Sequence, residues 1–157
     1  MPGSFDGKVV LVTGAAMGLG AAFATAFAAE GAAVGLLDPD ETELDATVAR
    51  ITEAGGRGVP IVGDVSKTEA AERAVDTLVS GFGGLDVLVN NAGVVRYGEL
   101  AAFPEEDWDF VLDINLKGMY QTARFAIPEA NPATPMAFSR TESLAASGPF
   151  TNFGVQE

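Results

Sequence analysis

Apolar residues along this chain alternate between two spacings. Val9 to Val12 is a short β-branched apolar run, which predicts a buried strand. Thr13 and Gly14 end it. Leu19, Ala22, Phe23, Ala26 and Phe27 then recur at helical spacing, predicting a helix from Leu19 to Glu30 that Gly31 stops. Ala33 to Leu37 is a second strand, ending at Asp38. Asp40 and Glu43 form a capping box for a helix that runs to about Ala54, where two glycines close it. Gly58 to Val62 predicts a third strand. Lys67 to Phe82 predicts a third helix, with Ala71, Ala74, Val75, Leu78 and Val79 on one side. Asp86 to Val89 is a fourth strand, and Glu105 to Ile127 carries the pattern of one long helix after Pro104. Strands alternating with helices over short connections predict α/β architecture: a doubly wound parallel sheet with helices on both faces.

The pattern fades after Pro128. "NPATPMAFSR" holds two prolines and no β-branched run. Met136 to Ser139 is the best, and poor, candidate for a fifth strand. The expected organisation is a dinucleotide-binding domain over 1–128 and an irregular tail over 129–157. The sheet is then incomplete on its C-terminal side, leaving the fourth strand without cover.

Composition narrows the chemistry. The chain has 157 residues and suits one domain. It contains no cysteine, hence no disulfide or thiolate metal site, and no histidine, which removes the commonest general base. Its net charge of −13 argues against nucleic acid, and no clustered Lys and Arg offset it. No apolar run reaches the length of a membrane span, and "MPGSFDGK" does not read as a secretory signal. A soluble cytoplasmic protein is expected.

The candidate site lies in "TGAAMGLG". Gly14, Gly18 and Gly20 sit between a strand and a helix. The first suits a tight turn, the second a close approach of backbone to pyrophosphate, the third close packing of helix on strand. The helix N-terminus offers unpaired N–H groups and partial positive charge. Asp38, at the end of the second strand, can accept from adenosine ribose hydroxyls and repels a 2′-phosphate. NAD is therefore favoured over NADP. Asp38 can equally serve the Asp-Pro turn that follows. Asp64, after the third strand, could accept from an adenine amino group with Val65 packing nearby, or belong to the N-cap region of the next helix. "NNAG", Asn90 to Gly93, can brace strand ends and touch a cofactor.

The segments "TGAAMGLG", "LLD", "GDV", "LDVLVNNAG" and "DWDFVLDINLKGMY" resemble, in order and spacing, the short-chain dehydrogenase/reductase family over roughly Gly7 to Pro128. The resemblance implies a Rossmann-type sheet and hydride transfer between an alcohol or ketone and nicotinamide. It implies cofactor contacts from Gly14, Gly18, Leu19, Gly20, Asp38, Asp64, Val65 and Asn91. It assigns Asn115 to holding a water in a proton relay; without it, Asn115 reads as a satisfied amide or a helix bend. It places Ser143, or Ser139 on a slipped register, where a serine donates to the substrate oxygen; both also read as loop serines.

The family's base is a tyrosine whose proton affinity a lysine four residues later lowers. This chain has no tyrosine after Tyr120 and no lysine after Lys117; Gln156 falls at the tyrosine place. Tyr120 and Arg124 stand four apart, a spacing routine on helices, and Trp108 reads as a packing anchor. Three expectations follow: an NAD-linked dehydrogenase, a non-catalytic NAD(H)-binding remnant, or a frame-shifted or truncated product. A homo-oligomer could supply cover for the sheet.

Overall fold

The computed structural model describes residues 3–130 and 137–140. Five parallel strands form one sheet in the order β3-β2-β1-β4-β5. β1 is Val9–Thr13, β2 Ala33–Asp38, β3 Arg57–Val62, β4 Val87–Asn90 and β5 Ala137–Arg140. The helices α1 (Gly18–Ala29), α2 (Glu41–Glu53) and α3 (Thr68–Phe82) follow the first three strands. The order reverses between β1 and β4, and such a switch point opens a crevice at the carboxyl ends of the strands.

Alternate side chains of each central strand enter opposite cores, as the two-residue period of a strand requires. Val10, Val12, Val34 and Leu36 pack on one face with Ala24 and Ala28 of α1 and Leu44 and Ile51 of α2. Val9, Leu11, Leu37 and Leu88 pack on the other with Ala74, Val75 and Leu78 of α3 and Ala126. α1 presents only glycine and alanine at its buried positions, so it lies close against the sheet beside the glycine turn.

Two expectations are corrected. The region past Pro128 is not irregular throughout: β5 pairs in parallel with β4, from Val87↔Ala137 to Asn90↔Arg140. β4 therefore has a strand on each side. "AFSR" carries little strand propensity of its own; pairing to a neighbour supplies what composition does not. The long helix is also interrupted. α4 (Glu105–Leu112) and α5 (Gly118–Ala126) are joined by a π-helical turn over Asp113–Lys117. Binary pattern cannot register such a turn, because one extra residue only rotates the apolar stripe.

Candidate cofactor site

β1 ends at Thr13, and the chain turns through Gly14 at φ 63° and Gly18 at φ 58° before α1 begins. Both lie in the left-handed region that costs L-residues about 1–2 kcal/mol. A Cβ on Gly14 would also stand 2.8 Å from the Ala92 Cα, whereas one on Gly18 would meet nothing. The space beyond Gly18 is open, as close approach of a ligand to the backbone requires. A Cβ on Gly20 would collide with the Gly14 carbonyl, so this glycine fits helix to strand end. Gly14 thus serves a tight turn and Gly20 a close fit of helix to strand end, while Gly18 leaves open space.

No side chain caps α1 at Met17, and no carboxylate occupies its first turn. The other helices that start a segment differ. α2 carries Glu41 and Glu43 there, α3 carries Glu69, and α4 carries Glu105, Glu106 and Asp107. In a chain of net charge −13, the first turn of α1 itself carries no acidic residue and its N–H donors meet no side-chain cap. Leu19, in that first turn, is 53% exposed.

Asp38 lies beside this turn. Its Oδ2 accepts from the Ala16 N–H at 3.1 Å and its Oδ1 from the Asp40 N–H at 3.0 Å. The carboxylate thus serves the Asp-Pro turn and braces the glycine turn. An ionised carboxylate offers about four acceptor directions, so acceptor capacity remains for a ligand.

Asn91 spans the switch point. Its Nδ2 donates to the carbonyls of Thr13 and Gly14, each at 3.0 Å. Thr13 completes the brace, its Oγ1 accepting from the N–H groups of Asn91 (3.1 Å) and Ala92 (3.0 Å). Sequence reading treated Thr13 only as a strand terminator. Its signal was available: a β-branched hydroxyl residue at the end of a wholly apolar strand, ahead of a glycine turn.

Asp64 accepts from the Ser66 N–H at 2.8 Å, and its own carbonyl from the Lys67 N–H at 3.0 Å, a turn that leads into α3. Val65 is 5% exposed and seats against Gly118, where a Cβ would come within 2.8 Å of Val65 Cγ2. Val65 therefore ties the loop after β3 to α5. Across the crevice, Asn115 sits in the π-helical turn and grips Val94 from both sides. Its Oδ1 accepts from the Val94 N–H at 2.8 Å and its Nδ2 donates to the Val94 carbonyl at 2.9 Å. It is both the satisfied amide and the helix irregularity that its residue type allowed. Its side chain fixes the loop leaving β4.

Ser143 and Gln156 lie outside the described residues. Ser139 lies in β5, registered with Val89. Tyr120 is 60% exposed, and the Arg124 guanidinium lies over the Phe125 ring at 5.4 Å. Trp108 is not the expected packing anchor: it is 52% exposed and lines a surface pocket of about 320 Å³ with Tyr97, Leu100 and Phe103. Among the described residues no group of acidic side chains could hold a metal ion, and no helix is long and apolar enough to cross a membrane.

The chain can be set beside known proteins. A family model described as short chain dehydrogenase matches residues 8–135. An uncharacterized oxidoreductase of Thermotoga maritima is 43% identical over 126 residues, covering 80% of this chain and 49% of that protein. The peroxisomal multifunctional enzyme type 2 of Mus musculus is 38% identical over an alignment that takes in 98% of this chain and 21% of that protein. A short chain dehydrogenase from Burkholderia cenocepacia, solved in complex with NADP, superposes with a TM-score of 0.79 at 35% identity, covering 85% of this chain and 55% of that one. The chain spans about half the length of the Thermotoga relative. Matched by the family model over most of its length and by relatives well above 30% identity, the chain belongs to the short-chain dehydrogenase/reductase family of oxidoreductases.

Proposed function

We propose that this chain binds NAD(H) in preference to NADP(H), at the crevice between the ends of β1 and β4. One observation carries the reading: an uncapped, acid-free helix N-terminus behind a left-handed glycine turn, with the Asp38 carboxylate beside it. The donor set suits a pyrophosphate, and the remaining acceptor directions of Asp38 suit ribose hydroxyls. The Burkholderia neighbour was solved with NADP; the preference for NAD(H) here is supported by the Asp38 carboxylate beside the turn, which would repel a 2′-phosphate. Leu19 flanks the phosphates, Asp64 and Val65 border the adenine end, and Asn91 holds the turn while facing the crevice. The bound nicotinamide supplies the hydride acceptor or donor for interconverting an alcohol and a ketone.

The chain's own contribution to proton transfer is the weaker half. Asn115 holds the loop beside the crevice and helps position a relay water, and Ser143 donates to the substrate oxygen. No tyrosine–lysine pair follows them in this sequence. These 157 residues on their own are therefore expected to bind cofactor with weak turnover, and the alternative reading is a non-catalytic NAD(H)-binding unit. The working partner is a small alcohol or ketone rather than nucleic acid or membrane, in a cytoplasmic setting. Exposed Trp108, Leu112, Leu116 and Tyr120 favour a homo-oligomer. Fluorescence titrations with NADH and NADPH test the reading. NADH binding at least ~10-fold tighter than NADPH is expected if ribose contact to a charged acceptor is retained. Tighter NADPH binding would overturn the role given to Asp38.

A further inference from the structure

Four threonines on the first three helices lie beyond the helix starts or within their middle turns. Thr25 donates to the Ala21 carbonyl at 2.8 Å, Thr52 to Val48 at 2.9 Å and Thr77 to Arg73 at 2.7 Å. Each bonds back four residues, the usual habit of a hydroxyl inside a helix. Thr47 differs. It is fully buried on α2, and its Oγ1 donates across to the carbonyl of Ala16, in the glycine turn, at 2.8 Å. The same oxygen accepts from Arg50 Nη2 at 2.7 Å. A hydroxyl that accepts from a cation is polarised, and its own donated bond is strengthened.

Ala16 is thereby held at both of its peptide planes. Its N–H is bound by Asp38 Oδ2 and its carbonyl by Thr47 Oγ1. Together the two bonds fix the dihedrals of the residue just before Met17, the N-cap of α1. The direction in which the α1 donors face is set there.

We infer that Thr47, backed by Arg50, is a positioning residue for the phosphate-binding turn: it acts through the Ala16 carbonyl and touches no ligand. The inference rests on the reading of this turn as the NAD(H) site. Catalytic and binding roles belong to groups that meet the cofactor; Thr47 acts one shell of hydrogen bonds behind them. The linkage also couples the two halves of the site, because release of the Ala16 carbonyl loosens the N–H that Asp38 holds.

The test compares the wild-type chain with Thr47→Val, Thr47→Ser and Arg50→Gln, measuring NADH affinity and, without nucleotide, hydrogen exchange at the Ala16 amide. Thr47→Val should weaken NADH binding by about 10-fold and speed Ala16 exchange by a similar factor, the usual size of one lost buried hydrogen bond. Thr47→Ser, which restores the hydroxyl, should stay within about 2-fold of wild type, and Arg50→Gln should weaken binding by about 2- to 3-fold. A folded Thr47→Val chain that binds NADH as wild type does overturns the inference alone. If Thr47→Val does not fold, unchanged affinity and exchange in Arg50→Gln overturn it. A wild-type chain that binds no NADH overturns the functional reading and this inference with it.

Discussion

At the scale of single residues, the site is built from groups with two duties. Asp38 braces Ala16 and Asp40 through main-chain N–H groups while keeping acceptor capacity toward the crevice. Asn91 closes the gap between β1 and β4 with its amide. Such overlap makes single substitutions informative. Asp38→Asn removes the charge but keeps one acceptor, so the preference for NADH over NADPH should fall by about 10-fold in paired titrations. Asn91→Ala leaves the carbonyls of Thr13 and Gly14 without their side-chain donor. A loss of about 1–3 kcal/mol in urea unfolding is expected, with NADH affinity falling alongside. Asn115→Ala frees both polar groups of Val94, and hydrogen exchange at the Val94 amide should accelerate by about 10-fold or more.

At the scale of elements, much was legible. Strands one to four and the first three helices follow from apolar period and from glycine stops, and their ends fall within a residue or two of expectation. The cap of α2 was readable too: the Glu43 N–H donates to Asp40 Oδ1 at 3.1 Å. Two elements were hidden, or nearly so, for physical reasons. β5 falls on the weak candidate at Met136 to Ser139 and was only faintly legible, because pairing with β4 is a tertiary effect that its residues barely announce. The π-helical turn at Asp113–Lys117 arises inside a continuous helical pattern and shows only in the backbone. The candidate site was legible where chemistry imposes residue type, at Gly14, Gly18, Gly20 and Asp38, which the fold brings to one turn. It was hidden where a common residue does an uncommon thing, as Thr13 and Thr47 do. Packing at the turn gives an element-scale prediction. Gly20→Ala drives a methyl group into the Gly14 carbonyl and should cost about 1–3 kcal/mol by denaturant unfolding.

At the scale of the molecule, this chain presents a five-stranded parallel sheet with a switch point between β1 and β4, where the proposed cofactor crevice lies. It spans about half of the Thermotoga relative, and the acid–base pair of the family has no counterpart in its sequence. Loss of a general acid–base group costs about 10²–10⁴-fold in rate. With NAD and simple secondary alcohols, these 157 residues on their own should therefore turn over about 10²–10⁴-fold more slowly than a relative that carries the pair, read in a spectrophotometric assay at saturating cofactor.

The most direct measurement of the central claim is a titration of isotope-labelled chain with NADH, followed by amide chemical shifts. The account predicts saturable shifts concentrated at Gly14 to Gly20, at Asp38 and Asp40, at Asp64 and Val65, and at Asn91 to Gly93, with the middle of α3 and the outer face of α4 undisturbed. Absence of saturable shifts, or shifts centred away from the end of β1, would contradict it.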